Sequence, residues 1–328
     1  MEFRTLGKTG IKVSAISLGT WQVGGKWGAA FNHTNADEIL NKAIESGINF
    51  IDTADVYGDG ESEKAVGRLV KNRKEKIYVA TKCGRQIQPH VNEGYQVDVL
   101  RKFVENSLTN MGLETIDLIQ LHCPPTQVYY RPEIFELFEQ LKKEGKIQHM
   151  GVSVEKVEEA LKAIEYDNVT TVQIIFNMFR QRPAQLFFNE AKKKQVGIIV
   201  RVPLASGLLT GKFNAFTDFA SGDHRQFNRN GEAFDKGETF SGIDYEKGIA
   251  AVEALKKIFP GEENLAPIAL QWILQFDAVS CIIPGASGMA QVDSNTSTMA
   301  RPGITGTQLS AVQEVYDNYI KPSVHHLW

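Results

Sequence analysis

Four side chains with complementary acid–base chemistry lie at or just after the ends of short apolar runs. Asp52 ends NFID, and Tyr57 follows five residues later. Lys82 ends IYVATK, and His122 ends DLIQLH. One Lys or His at the end of a strand is usually a solvated boundary residue, but four such groups at successive strand ends predict a common site.

The four groups together could protonate a carbonyl oxygen. A free tyrosine has a pKa of about 10, and a nearby ammonium lowers that pKa and makes proton donation easier. Lys82 could supply the ammonium to Tyr57, and Asp52 could keep Lys82 charged, because a buried ammonium needs a partner. A neutral His122 could donate a hydrogen bond to the same oxygen. The four groups include no nucleophile for the carbonyl carbon. A hydride delivered to that carbon from a nicotinamide would therefore fit this site.

Eight short apolar runs would position these groups. They are nearly continuous rather than alternating, as in parallel strands buried on both faces, and they cover residues 15–20, 49–52, 77–82, 117–122, 148–153, 171–176, 197–202 and 280–285. Amphipathic helical patterns lie between most of them, and Asn35 is expected to cap the first helix. Residues 2–14 predict a hairpin, with Gly7 and Gly10 at its turn.

This alternation predicts an α/β fold, a (β/α)8 TIM barrel with an N-terminal β-hairpin and additional C-terminal helices. An open doubly wound sheet stays possible, because periodicity alone does not exclude it. Residues 1–328 are expected to form one domain. The long loop 203–244, after the seventh strand, is expected to cover a cofactor or substrate as a lid. Active sites of such barrels lie at the carboxyl ends of the strands.

Composition narrows the function. The 328 residues carry a formal charge of −3, which gives no reason to expect nucleic acid or an anionic membrane as a partner. No apolar run approaches the roughly 18 residues of a membrane span, and the N-terminus lacks the apolar core of a signal peptide. The three cysteines show no zinc-ligand spacing, so we expect reduced thiols, a cytoplasmic protein and no bound metal.

Seven motifs in order resemble the aldo-keto reductase family, particularly its bacterial branches. They are FIDTADVYG, VATK, LIQLH, MGVS, VQIIFN, PLASGLLTGKF and IIPGAS, and the likeness covers essentially the whole chain. The resemblance implies an NAD(P)H-dependent enzyme that reversibly reduces an aldehyde or ketone to an alcohol. It also implies catalytic roles for Asp52, Tyr57, Lys82 and His122, with Tyr57 as the general acid or base.

The resemblance further implies a set of cofactor contacts. Ser153 and Gln173 would hold the nicotinamide carboxamide, residues 203–212 would hold the pyrophosphate, and residues 285–295 would hold the adenosine. The full set is Gly19, Thr20, Trp21, Asp52, Ser153, Gln173, Arg201, Pro203, Leu204, Ser206, Gly207, Leu209, Lys212, Gly285, Ser287, Gln291 and Asn295. The substrate pocket would be formed by Trp21, Trp27, Tyr57 and His122, although core packing explains the two tryptophans almost equally well.

Some positions depart from the family pattern. Val154 stands where an asparagine commonly follows Ser153, and Arg201 stands where many relatives have an aromatic that stacks on the nicotinamide. The Arg201 guanidinium could also lie flat on that ring, and because it adds a cation beside the nicotinamide, we expect it to shift the relative affinity for oxidised and reduced cofactor. Segment 285–295 contains no Lys or Arg to pair with a 2′-phosphate, so any preference for NADPH over NADH should be weak or reversed. NADP(H) is still favoured by family likeness, with NAD(H) possible.

Two rival functions remain open. A metal-dependent barrel hydrolase would need clustered His and Asp ligands at the strand ends, and only His122 is found there. A redox-sensing binding module like the potassium-channel β subunits would share the fold but turn over little. Neither the substrate, beyond a small carbonyl or alcohol, nor the oligomeric state can be inferred from the sequence.

Overall fold

The computed structural model describes residues 1–25 and 30–328. A hairpin comes first, in which β1 (Phe3–Thr5) pairs antiparallel with β2 (Lys12–Ser14). Eight parallel strands follow in sequence order: β3 (Leu18–Gly19), β4 (Phe50–Asp52), β5 (Tyr78–Cys83), β6 (Ile116–His122), β7 (Ile147–Ser153), β8 (Val169–Ile175), β9 (Gly197–Arg201) and β10 (Val279–Ile282). Parallel bridges from Ile16 to Ile282 and from Gly19 to Gly285 bring the last strand back to the first. The predicted (β/α)8 barrel is confirmed.

Helices surround the strands. They are α1 (His33–Glu45), α2 (Glu61–Asn72), α3 (Val97–Met111), α4 (Pro132–Lys143), α5 (Val157–Ala163), α6 (Phe187–Lys193), α7 (His224–Phe227), α8 (Tyr245–Ile258), α9 (Ala266–Leu274), α10 (Met289–Ser297), α11 (Gly306–Val315) and α12 (Lys321–Val324). Asn32, not Asn35, caps α1: the Asn32 side chain accepts a hydrogen bond from the Asn35 amide. The predicted cap at Asn35 was wrong, because the helix begins about one turn before the first residues of its apolar pattern.

The strand sequences explain the core. All seven residues of β8 are buried, because one face of the strand packs inside the barrel and the other packs against helices. A small cluster fills the lower barrel, where the hairpin residues Leu6 and Val13 meet Phe50, Leu118 and Ile199. A larger cluster lies between the barrel wall and the helices. The polar side chains of the candidate active site lie above this small cluster, at the carboxyl ends of the strands.

Candidate active site

A buried ion pair joins two neighbouring strands at the barrel mouth. The Lys82 ammonium donates to the Asp52 carboxylate and to the carbonyl oxygen of Thr53, the latter at 2.8 Å. Lys82 is 1% exposed and Asp52 is 2% exposed. Burial alone would lower the pKa of Lys82, but the Asp52 carboxylate and then the Tyr57 hydroxyl raise it above its ordinary value. Lys82 therefore stays charged at neutral pH.

Two glutamines complete the partners of Asp52. Its second carboxylate oxygen accepts hydrogen bonds from Gln120 at 3.0 Å and from Gln173 at 2.8 Å. Gln173 also donates to the Gln120 side chain at 3.2 Å. Gln173, which the sequence predicts against the nicotinamide carboxamide, thus uses its amide nitrogen to hold Asp52. Sequence reasoning missed Gln120. The signal that could have found it is a polar amide inside the apolar run that forms β6.

Tyr57 lies within reach of the Lys82 ammonium. The Lys82 nitrogen approaches the Tyr57 hydroxyl at 3.5 Å and lies 5.0 Å from the centre of its ring. Burial raises the pKa of Tyr57, while Lys82 opposes that rise. Lys82 thus acts in the predicted direction, but burial outweighs it and the net shift is upward. Tyr57 is therefore a protonated donor at neutral pH.

His122 faces the Tyr57 ring. The two ring centres are 6.0 Å apart and the rings meet edge to face. Burial first, then the charges of Lys82 and Arg85, hold the pKa of His122 well below its usual range. Its buried Nδ1 makes no hydrogen bond to any described residue. A neutral imidazole between a phenol and the barrel mouth can donate a hydrogen bond to a carbonyl oxygen, as the sequence predicts.

Three predicted cofactor positions, Gly19 to Trp21, lie at the end of β3, where it meets the chain after β10. Gly19 bridges Gly285, and a Cβ added at Gly19 would lie 2.8 Å from the carbonyl oxygen of Ile283, so a side chain would prevent this approach. Thr20 is buried, and its hydroxyl accepts from Ser62 at 2.8 Å. Trp21 packs against His224 of α7, with 4.7 Å between ring centres. Trp27 lies outside the described residues.

Arg201 is engaged in an ion pair rather than exposed to the mouth. Its guanidinium donates to Glu155 at 2.8 Å and to the carbonyl oxygen of Val154 at 3.0 Å, and it lies 3.6 Å from Glu238. The expected flat stacking on a nicotinamide would have to coexist with these contacts. Ser153 is buried, and its hydroxyl lies 3.5 Å from the Cys123 sulfur. Ser153 is paired with His122 on one side and Gln173 on the other in the strand register.

The predicted pyrophosphate segment forms an irregular turn after β9. Ser206 and Gly207 have left-handed backbone conformations, with φ of 55° and 97°. The Ser206 hydroxyl donates to the Glu238 carbonyl oxygen at 2.9 Å and accepts from the Phe240 amide at 3.1 Å, so it ties this turn to the long loop. The remaining predicted residues here differ in exposure: Pro203 and Leu209 are buried, Leu204 is partly exposed, and Lys212 is exposed.

The predicted adenosine segment contains an exposed helix start. Gly288 precedes α10 without a side-chain cap, so the first amides of this helix are offered to a ligand. Gln291 accepts from the Ser287 hydroxyl at 3.0 Å, and the buried Asn295 donates to the Gly285 carbonyl oxygen at 3.3 Å. A cation reaches this segment from α1, because Lys42 forms a 2.7 Å ion pair with Asp293.

These features fit a bound dinucleotide. The glycine contact between the first and last strands, the left-handed turn at Ser206–Gly207 and the uncapped start of α10 all lie beside the carboxyl ends of the strands. Backbone amides at a helix start favour phosphate groups. The residues present therefore fit the nicotinamide cofactor that the sequence implies.

The long loop and the chain end pack over this face. Phe219 is 7% exposed and packs between Phe213 and Phe240, with ring centres 5.3 Å and 5.8 Å away. Trp328 is buried, donates to Asp235 at 2.8 Å and lies 4.3 Å from the Arg180 guanidinium. The loop 203–244 is therefore a packed layer: Ser206 joins its first turn to its last part, and Trp328 contacts it from the chain end.

A cluster of charges beside His122 was missed by sequence reasoning. Ligand atoms of Cys123, Glu155 and Glu238 lie within 4.8 Å of one another, which is close enough for a metal. The Arg201 guanidinium hydrogen-bonds Glu155, approaches the Cys123 sulfur at 3.5 Å and lies beside Glu238. A cationic side chain thus occupies the centre of this cluster among the described residues, and the cluster does not favour a hydrolytic metal.

The comparisons with known proteins identify the family of this chain. The aldo/keto reductase family model matches residues 15–317. An uncharacterised oxidoreductase of Bacillus subtilis, YqkF, is 30% identical over 95% of this chain and 96% of its own. The solved structure of a glycerol dehydrogenase from Gluconobacter oxydans is 29% identical, with a TM-score of 0.78 over 97% of this chain and 96% of that chain. A holo aldo-keto reductase from Bacillus halodurans is 26% identical, with a TM-score of 0.78 over 96% of each chain.

The family model and the oxidoreductases among the relatives show a nicotinamide-dependent oxidoreductase. The chain belongs to the aldo-keto reductase family, and its resemblance to bacterial members is confirmed. The family implies a small carbonyl or alcohol as substrate. In the described ranges 1–25 and 30–328, no helix is both long and apolar enough to cross a membrane.

Proposed function

We propose that this enzyme reduces an aldehyde or ketone to an alcohol, reversibly, with Tyr57 as general acid in reduction and general base in oxidation. One observation carries the proposal: the Lys82 ammonium contacts both Asp52 and Tyr57, and Tyr57 faces a neutral His122. Bound nicotinamide supplies or accepts the hydride. The protein supplies the proton and the position of the carbonyl oxygen.

Each member of the site has a distinct task in this proposal. Tyr57 is protonated at neutral pH and transfers its proton to the developing alkoxide. Lys82 stabilises the phenolate that remains, because its ammonium is held 3.5 Å from that oxygen. His122 donates a hydrogen bond that orients the carbonyl. Asp52, held by Gln120 and Gln173, keeps Lys82 charged and in place.

We also propose that the cofactor is held by the residues implied by the family resemblance. The turn at Ser206–Gly207 and the exposed ammonium of Lys212 would bind the pyrophosphate. Gly19, Thr20, Ser153 and Gly285 would border the nicotinamide. Ser287, Gln291 and Asn295 would surround the adenosine, next to the first amides of α10.

NADP(H) is the cofactor that we favour over NAD(H). Segment 285–295 lacks a cation of its own, but Lys42 of α1 lies against it, in an ion pair with Asp293. A 2′-phosphate could therefore meet an ammonium supplied by another element. Because Asp293 partly neutralises this ammonium, the preference over NADH should be modest.

We propose that the loop 203–244 acts as a lid that excludes water during hydride transfer. Its contacts support this role: α7 packs His224 on Trp21, and Glu238 lies beside Arg201 and Arg85. Opening of its last part, residues 235–240, would require breaking the two hydrogen bonds of Ser206 and the docking of Trp328 on Asp235.

The test is a fluorescence titration with NADPH and NADH, followed by a panel of small aldehydes and ketones monitored at the cofactor absorbance. We expect binding of at least one cofactor and its oxidation by several carbonyls. Failure to bind either cofactor would overturn the proposal. Cofactor binding without turnover of any carbonyl would instead favour a binding module.

A further inference from the structure

One cation beside the site, Arg85, donates no hydrogen bond to any described residue. Arg85 follows β5, three residues after Lys82, and its side chain is 23% exposed. Its closest carboxylate is that of Glu238 in the long loop, at 4.0 Å. Among the described residues, none accepts a hydrogen bond from its guanidinium. Arg201, in contrast, is hydrogen-bonded to Glu155 at 2.8 Å.

Glu238 is a weak counter-ion for Arg85. It lies next to Glu155, and both carboxyls share Arg201. Burial first, and then the charge of Glu155, raise the pKa of Glu238 to about 8. At neutral pH its carboxyl is therefore largely protonated, so that Arg85 lacks a full opposite charge. An anion arriving at Arg85 would gain an attraction that the protein itself leaves unused.

The pair lies near the reacting groups. The Glu238 carboxylate lies within 4.8 Å of the sulfur of Cys123, the residue directly after His122. The charge of Arg85 contributes to lowering the pKa of His122, and the charge of Glu238 contributes to raising the pKa of Tyr57. A carbonyl held between Tyr57 and His122 would therefore have Arg85 beside the rest of its molecule.

We propose that Arg85 and Glu238 form the site for an anionic group of the substrate. The Arg85 guanidinium binds a carboxylate or phosphate carried by a small aldehyde or ketone, and Glu238 holds that guanidinium in position until the substrate displaces it. This inference rests on the proposed function and adds the class of substrate to it. A guanidinium suits both oxyanions, because its fork of N–H donors matches their oxygens.

The experiment compares charged and neutral carbonyl substrates of similar size. Succinic semialdehyde is paired with butanal, and glyceraldehyde 3-phosphate with glyceraldehyde. We measure kcat and KM for the wild type, Arg85→Met, Arg85→Lys and Glu238→Gln, with the cofactor saturating. Thermal unfolding of each variant establishes that it is folded.

We expect the wild type to favour at least one charged member over its neutral match. Arg85→Met should raise KM for that substrate about tenfold or more, as for a lost hydrogen bond to a charged group, and change KM for neutral substrates by less than about threefold. Arg85→Lys should fall between. Glu238→Gln should change KM for the charged substrate little at pH 7 and lower it above pH 8, where the wild-type carboxyl is ionised and competes for Arg85. Comparing the two pairs separates a carboxylate site from a phosphate site.

Three results would overturn the inference. If Arg85→Met affects charged and neutral substrates equally, or if the wild type reduces only neutral carbonyls, Arg85 does not bind a substrate anion, while the reductase function stands. If the wild type reduces no carbonyl of either kind, the proposed function fails and the inference fails with it.

Discussion

Two charged clusters lie at the same barrel mouth and are built differently. Asp52 and Lys82 lie on adjacent strands, and both oxygens of Asp52 have hydrogen-bond partners. Arg85, Glu155 and Glu238 lie outside the strands, and two contacts in this cluster are longer. Arg201 meets Glu238 at 3.6 Å, and Arg85 meets Glu238 at 4.0 Å.

This difference separates two tasks. Polar groups on strands are fixed by the register of the sheet and can be paired fully, which suits proton transfer at a defined distance. Polar groups on loops are held less completely, so a ligand can replace one of their partners. The strand cluster is therefore expected to fix the surroundings of the proton donor Tyr57, and the loop cluster is expected to determine the choice of substrate.

The largest effect on stability should come from the strand cluster. Lys82→Met leaves the Asp52 charge buried without a partner, and we expect it to lower the free energy of unfolding by about 3–5 kcal/mol and to abolish turnover. Urea unfolding measures the first and cofactor oxidation the second. The double variant Asp52→Asn/Lys82→Met should recover much of the stability but no activity. A Lys82→Met protein as stable as the wild type would remove the distinction between the clusters.

The second effect is on the pH dependence of stability. Two buried carboxyls have a pKa raised to about 8, Glu238 of the loop cluster and Asp55 next to the strand cluster, in both cases chiefly by burial. Below the ordinary carboxyl pKa of about 4, these carboxyls are protonated in both the folded and the unfolded protein. Their stabilising contribution to the free energy of unfolding is then fully present. It is lost as the pH rises through 8, because the unfolded chain releases these protons first.

Thermal unfolding between pH 6.5 and 8.5 tests this expectation. Burial lowers the pKa of His224 to about 4, so this histidine is neutral in the folded protein over that range. The wild type should lose stability as the pH rises, and Glu238→Gln or Asp55→Asn should each lose less. Glu38→Gln, at an exposed position, serves as the control and should follow the wild type. Parallel curves for all four proteins would contradict the raised pKa values.

A smaller effect concerns the cofactor. Lys42→Met should weaken NADPH binding about two- to fivefold relative to NADH, since a partly exposed ion pair contributes little. Asp293→Asn should shift the ratio the other way by freeing the Lys42 ammonium. The two dissociation constants, determined by fluorescence titration, give the ratio. Unchanged ratios in both variants would place the 2′-phosphate elsewhere.

The smallest effect should be that of Arg85 on stability. Its ion pair with Glu238 is 4.0 Å long and partly exposed, so Arg85→Met should change the free energy of unfolding by less than about 1 kcal/mol. The same urea experiment as for Lys82→Met measures it. A loss comparable to that of Lys82→Met would mean that Arg85 is a structural residue, and the contrast between the clusters would disappear.

The sequence predicts the barrel because hydrophobic runs and helical periods repeat eight times. It misses α9, whose nine residues are nearly all buried and so show no polar face to mark a helix. Strand ends converge in a barrel, so the sequence alone is enough to group Asp52, Lys82 and His122. It is not enough to place Glu238 with them, because no local pattern fixes the path of a forty-residue loop. The sequence also does not show that Gln173 donates a hydrogen bond to Asp52, since this hydrogen bond joins two strands on different sides of the barrel.

Single-turnover kinetics of Tyr57→Phe test the central claim most directly. Protein preloaded with the reduced cofactor is mixed with a saturating aldehyde, and the rate of cofactor oxidation is measured. The cofactor affinity of the same protein samples is measured separately. We predict an oxidation rate lower by about 10²–10⁴-fold, the usual contribution of a general acid, with cofactor affinity nearly unchanged. An oxidation rate equal to that of the wild type would show that Tyr57 is not the proton donor.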